Sequence, residues 1–235
     1  MCAVIDRAYS NIDWMVRARS LASRLEAISR RYLGRPYIRN PLIGSREIPE
    51  VLVTHDKGFD CVTFIETVVA RAGVSGSREY REQLRRIRYQ NGKIGWKQRN
   101  HYMTQWIQNN QRSGFVRSVK FDIRQNSKDR VLNLISGLPA VRQKFSCIPK
   151  RALARAVRDI HTGDLIFFAS ARPHLDVFHC GILIRDGERL LLRHASRSHG
   201  GVVEQELDSF MKANRMAGVI VVRPADPAAS SARAN

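Results

Sequence analysis

Cys61 stands where a turn gives way to an apolar helix, in the stretch Gly58-Phe59-Asp60-Cys61-Val62-Thr63-Phe64. Asp60 is a good N-cap residue, able to accept hydrogen bonds from the free N–H groups of Val62 or Thr63. The run from Val62 to Ala72 reads as a buried helix closed by Gly73. A cysteine that opens a helix feels the positive end of the helix dipole, which favours thiolate over thiol and pulls its pKa below the free value of ~8.5. The ordinary fate of a free cysteine is to pack as a small hydrophobe, so a reactive role needs a base elsewhere in the chain.

That base is sought in the strand-like text near the C-terminal end. Asp186-Gly187 between two apolar runs signals a two-residue hairpin loop, which places Arg185 opposite Glu188 and His179 opposite His194. Opposed residues share a sheet face with Cβ atoms ~4.5–5.5 Å apart, so the two imidazoles can hydrogen-bond while one of them reaches beyond the sheet. Cys180 then points to the opposite face. Coincidence and half a metal site stay open for a histidine pair, but a thiolate at a helix start with a histidine and a third polar group is the arrangement of papain-like nucleophilic catalysis.

The elements that must position these groups follow from periodicity. From Trp14, the residues Ala18, Leu21, Leu25, Ile28 and Tyr32 recur at helical spacing before Gly34, giving an amphipathic helix with one buried stripe. A loop-like stretch with Pro41, Gly44 and Pro49 leads to Gly58 and wraps the approach to Cys61. Helices are expected over 77–89 and 101–111, a strand over 115–123, and short helices over 127–135 and 149–157, the last with proline at its first position. Residues 74–160 thus form a mostly helical insertion. Strands follow at 165–169, 177–185, 189–195, 202–205 and 218–223, with a short helix near 207–213. The fold class is α+β, helices first and an antiparallel sheet second, in one domain over 1–224 with a disordered tail over 225–235.

The chain has 235 residues, enough for a core without staples. Its four cysteines, Cys2, Cys61, Cys147 and Cys180, show no zinc or disulfide spacing, and no metal or organic cofactor is implied. The N-terminal text, with Asp6, Arg7, Asp13, Arg17 and Arg19, lacks the apolar stretch of a signal peptide, and nothing elsewhere suggests a membrane span. The expectation is a soluble protein made in the cytoplasm, unless the start lies upstream or export uses another route. Forty Lys and Arg against 21 Asp and Glu leave +19, much of it in helical text such as Arg78, Arg81, Arg85, Arg86 and Arg88. A field of that size attracts polyanions non-specifically, and a solvated basic face with no dedicated ligand is the plain alternative. Zinc-finger, RNA-recognition and basic-zipper signatures are absent.

Taken together, Gly34-Arg35-Pro36-Tyr37, Phe59-Asp60-Cys61, Gly163-Asp164-Leu165-Ile166-Phe167-Phe168, His179-Cys180-Gly181-Ile182 and His194-Ala195-Ser196 resemble the NlpC/P60 superfamily of cell-wall cysteine peptidases and amidases. The order, cysteine before histidine, argues against the circularly permuted branch. Asn100-His101-Tyr102-Met103-Thr104-Gln105-Trp106-Ile107 and the ending Gly218-Val219-Ile220-Val221-Val222-Arg223-Pro224 are similar to the DUF1460 family. The resemblance implies a papain-like fold with the cysteine helix packed on the sheet, and an amidase that cuts peptidoglycan fragments, or muropeptides, between N-acetylmuramic acid and L-alanine. It implies Cys61 as nucleophile, His179 as general base and then acid, and His194 as its orienter. Tyr37 would help hold the oxyanion and Asp60 would face the substrate or only cap the helix. His101 and Trp106 would form a substrate wall or an aromatic face packed on the core. Val62-Thr63 replaces the Ser-Gly of many endopeptidases of the superfamily. Two other readings stay open: an endopeptidase cutting between D-glutamate and the diamino acid, and a basic nucleic-acid-binding module with no catalysis. Oligomeric state is not legible.

Overall fold

A computed structural model describes residues 20–74 and 76–226. The helix expected from Trp14 is seen as α1 (Leu21–Arg30), capped by the Ser20 side chain, with Leu25 buried. Its earlier positions and the tail beyond residue 226 lie outside the described residues. The cysteine helix α2 (Cys61–Ala72) follows, then α3 (Ser77–Arg88) and α4 (Met103–Arg112). After these come the strands β1 (Val116–Ser118), β2 (Asn126–Leu132) and β3 (Val141–Cys147) and the short α5 (Leu153–Ala156). The C-terminal part holds β4 (Leu165–Ala169), β5 (Val177–Asp186), β6 (Arg189–Ser196), β7 (Gly201–Glu206), α6 (Leu207–Ala213) and β8 (Gly218–Pro224).

Six strands form one antiparallel sheet in the order β1-β8-β4-β5-β6-β7. The expectation of an α+β chain with helices before an antiparallel sheet is met. One expected element is corrected: the helix read over 127–135 is the strand β2, paired along its length with β3 as a separate hairpin. Its text, Asn-Ser-Lys-Asp-Arg-Val-Leu, offers no apolar stripe at helical spacing. Cross-strand partners such as Phe145 against Lys128 and the Arg142–Asp129 pair hold it, and Arg130 ties it to the Ser170, Arg172 and Leu175 carbonyls.

The sheet is covered on both faces. One face packs α2 through Phe64, Ile65 and Val68 against Leu165, Phe167, Cys180 and Ile182, while the other packs Ile166, Phe168, Leu183 and Leu192 against Phe210 and Met211 of α6. Strands buried on both sides read as apolar runs, as in Leu165-Ile166-Phe167-Phe168. No helix among the described residues is long and apolar enough to cross a membrane.

The anchorage of α2 depends on a polar cluster inside the core. Glu66, 2% exposed, receives Arg88 Nε on Oε2 at 2.7 Å and Trp106 Nε1–H on Oε1 at 3.1 Å, and Arg88 Nη1 also donates to the Val53 carbonyl at 2.7 Å. Arg88, expected among the exposed cations, is thus a core residue tying α3 to α2. Removing one partner leaves a buried, uncompensated charge. Arg88→Met is expected to lower unfolding free energy by about 3–5 kcal/mol in urea melts, and Arg88→Met with Glu66→Leu to cost clearly less. A single variant melting like the wild type would show that the cluster does not hold α2.

Candidate active site

Asp60 caps α2 through a reciprocal box: its Oδ1 accepts from Thr63 N–H at 2.8 Å and from the Thr63 hydroxyl at 2.8 Å, while Thr63 Oγ1 accepts from Asp60 N–H at 3.1 Å. Burial first, then the neighbouring Cys61 charge, pushes the Asp60 carboxyl up to about 6. The cap leaves Cys61 as the first residue of the helix, half-buried at the cleft. Beside it, three segments are laced together. Tyr37 bridges Phe59, Ile38 N–H donates to the Phe59 carbonyl at 2.9 Å, and Tyr37 N–H donates to the Gly200 carbonyl at 2.8 Å. Burial, followed by the Cys61 and Asp60 charges, raises the Tyr37 phenol, and the Arg197 and Arg39 charges oppose that rise, so all four groups share one electrostatic neighbourhood.

The histidines meet, though not in the register the hairpin text suggested. Asp186 pairs with Arg189 and Ile182 with Arg193, so the loop is Gly187-Glu188 rather than Asp186-Gly187. Gly187 has φ 58° and Glu188 does not take positive φ, the pattern of a turn with glycine at its first central position. The slip is two residues, which keeps every side chain on its face. His179 and His194 become diagonal rather than direct neighbours, and His179 Nε2 lies 2.5 Å from His194 Nδ1.

Just before His179, β5 carries a bulge: Phe168 pairs with His179 but Ala169 with Val177, leaving Phe178 extra. His179 then lies against a pair of touching aromatic rings, with Phe210 at 5.3 Å and Phe168 at 6.1 Å from it between centroids. That fixes its plane. His194 is 1% exposed, and burial, then the His179 and His199 charges, lower it to about 3, so it remains a neutral imidazole. The side-chain amide nitrogen of Gln205 on β7 lies 2.8 Å from His194 Nε2.

Cys180 points to the sheet face opposite His179, as the hairpin reading expected, and that face is the one that packs α2, where its thiol donates to the Cys61 carbonyl at 3.3 Å. The Cys61 thiol is pulled well below its ordinary pKa, by a hydrogen bond from Cys180 first and by the hydrogen bond and charge of His179 next, against the opposing effect of burial. Burial, together with the adjacent Cys61, pushes the Cys180 thiol up. Two consecutive residues of β5 therefore meet Cys61.

The two insertion residues sit elsewhere. Trp106 is fully buried, bonded to Glu66 and packed on Phe167, so it is a core residue and not a substrate wall. His101 lies edge-on to Trp96, with Nε2 2.7 Å from the Trp96 carbonyl, and no described contact joins it to Cys61, His179 or His194. Cys180, Gln205, Phe168 and Phe210 were missed. The alternation of β7 could have shown Gln205, because it shares a face with Val203, the residue paired with His194. Among the described residues no group of three or more His, Cys, Asp or Glu side chains could hold a metal ion.

The fold and site together define an α+β protein whose cleft joins a helix-opening thiol to a pair of imidazoles. Residues 27–219 match the AmiA-like family, described as N-acetylmuramoyl-L-alanine amidase-like, and the chain belongs to that family and is an amidase-like enzyme. Among solved structures it is similar to an N-acetylmuramoyl-L-alanine amidase from Bacteroides uniformis, with 26% identity, coverage of 87% of this chain and 99% of that chain, and a TM-score of 0.78. It is also similar to a DUF1460 protein from Legionella pneumophila at 23% identity, with coverage of 95% and 96% and a TM-score of 0.76, a likeness of fold. No curated protein matches the chain.

Proposed function

We propose that this protein is a cysteine hydrolase of the NlpC/P60 kind that cleaves the lactyl amide between N-acetylmuramic acid and L-alanine in peptidoglycan fragments. The observation that carries this reading is the pair His179 and His194, 2.5 Å apart between ring nitrogens, on the strands against which the helix opened by Cys61 packs. The family and the named Bacteroides uniformis amidase supply the substrate class.

With His179 Nε2 committed to His194, its Nδ1 is left for the Cys61 sulfur. The thiolate attacks the lactyl carbonyl carbon, and the resulting oxyanion is held by the Cys61 backbone N–H with the Tyr37 hydroxyl beside it. The His179 imidazolium gives its proton to the departing alanine nitrogen, the C–N bond breaks, and a thioester of the lactyl group remains. Water then attacks the thioester carbonyl, His179 takes the water's proton, and the sulfur leaves as thiolate. Proton transfer sets the direction of the polar line. For His179 Nε2–H to donate to His194 Nδ1, His194 must carry its hydrogen on Nε2. The Gln205 carboxamide then turns its oxygen there, half a turn from the placement of its nitrogen at that atom.

Arg39 and Arg197, both exposed and making no ion pair among the described residues, flank Tyr37 and suit the carboxylates of a stem peptide. The test is mass spectrometry of purified muropeptides before and after incubation. The expected products are the free muramic acid sugar and an intact stem peptide, with the sugar-free peptide left uncut, because a site built to bond a required group rejects analogues that lack it. A dipeptide released from the free peptide would establish the endopeptidase reaction instead.

A further inference from the structure

Cys180 is a thiol that the hydrolytic cycle does not consume, and it sits one residue along β5 from His179. It is fully buried, whereas Cys61 is half-buried at the cleft. Its thiol donates to the Cys61 carbonyl at 3.3 Å, which brings the two cysteines together where α2 meets β5. Cys61 is thus the more accessible of the two residues and carries the stabilised thiolate, and Cys180 lies beside it as a buried thiol. Oxidation follows thiolate character and exposure, and a sulfenic acid beside a second thiol condenses to a disulfide.

From this juxtaposition we propose that Cys61 and Cys180 are an oxidation site for hydroperoxides, closing to a reversible disulfide that silences the enzyme and spares its nucleophile from irreversible oxidation. The Cys61 thiolate attacks one peroxide oxygen, the O–O bond breaks, and the alkoxide or hydroxide leaves and takes a proton, giving Cys61 sulfenic acid. The Cys180 sulfur then attacks the Cys61 sulfur and the S–O bond breaks. The departing hydroxide leaves as water with the proton of the Cys180 thiol. In sum, two thiols and one hydroperoxide give a disulfide, an alcohol or water, and water. The inference rests on Cys61 being the reactive thiolate of the proposed hydrolase and is indifferent to which amide is cut.

The test treats the reduced full chain with hydrogen peroxide and follows intact mass, non-reducing peptide maps and muropeptide hydrolysis. Wild type is expected to lose two hydrogens, to show the Cys61 peptide joined to the Cys180 peptide, and to regain its starting mass and activity with dithiothreitol. Cys180→Ala and Cys180→Ser are expected to gain two oxygens at Cys61, a sulfinic acid that dithiothreitol does not reverse. Cys147→Ala should behave as wild type, because Cys147 bonds only the Asn126 and Ala217 carbonyls. The wild-type map stands even where a Cys180 variant fails to fold. Wild type passing directly to the sulfinic acid, or a disulfide that leaves out Cys180, would overturn the inference. Cys61 inert to peroxide in an active hydrolase would overturn it alone, and inert Cys61 in an inactive protein would remove the thiolate reading with it.

Discussion

Cys61→Ala is expected to abolish muropeptide hydrolysis and to leave the thermal melt nearly where it was. The activity argument is that no other group in the cleft can form the acyl intermediate: the Cys180 thiol is buried and held protonated, and the Tyr37 phenol is raised by burial and by the charges of Cys61 and Asp60. A loss on the order of 10⁶-fold in kcat is expected, the scale set when a nucleophile is removed and only binding and oxyanion contacts remain. The stability argument has the opposite sign. α2 is closed by Asp60 and Thr63 and anchored by Phe64, Ile65, Glu66 and Val68, none of which depends on the sulfur. The bond from the Cys180 thiol goes to the Cys61 main-chain carbonyl, which alanine retains. Alanine also removes a partly buried thiolate, so the expected change stays within about 1 kcal/mol in either direction. Turnover measured beside the melt decides the matter. Full turnover in the variant would remove the nucleophile assignment, and a collapsed melt would make Cys61 a packing residue.

The parts of the fold that were legible are those set by local rules. The cap, the cysteine helix and its stop follow from Asp60, the apolar run and Gly73, and the C-terminal strands follow from their apolar runs and turn residues. What escaped depends on partners distant in the chain. Arg88 reads as one more surface cation until Glu66, Val53 and Trp106 are brought to it. β2 carries no pattern of its own and is made a strand by β3. The histidine pair survived an error in register because a two-residue slip preserves the face, whereas a one-residue slip would have separated the imidazoles. Cys180 was placed on the correct face, but its meeting with Cys61 was not legible. Alternation along β5 says that it opposes its neighbour, but which face meets α2 is a property of tertiary packing and not of the strand.

His179→Ala is expected to cost far more than any change behind it, and the order of losses along the polar line is the sharpest test of the roles. His179 moves the proton in both halves of the cycle, so its removal should lower kcat by about 10²–10⁴-fold. His194 touches no reacting atom and acts by holding the ring, so His194→Ala should cost less, about 10–100-fold, the range seen when an outer partner of a functional histidine is lost. Gln205→Leu should cost least, and Gln205→Glu should restore most of that loss because a carboxylate also accepts from His194 Nε2–H. A merely structural role would lower stability and activity together, whereas an orienting role lowers kcat alone. In wild type, burial and the His179 charge hold His194 neutral, with its pKa lowered to about 3, so it accepts from His179 throughout the working range. Without that acceptor the ring is free to turn, so the loss in His194→Ala falls on kcat with KM and the melt nearly unchanged. Equal losses at His179 and His194 would refute the division of labour. Abolition of activity by a zinc chelator, with restoration by added metal, would make the two imidazoles ligands instead of a base and its support.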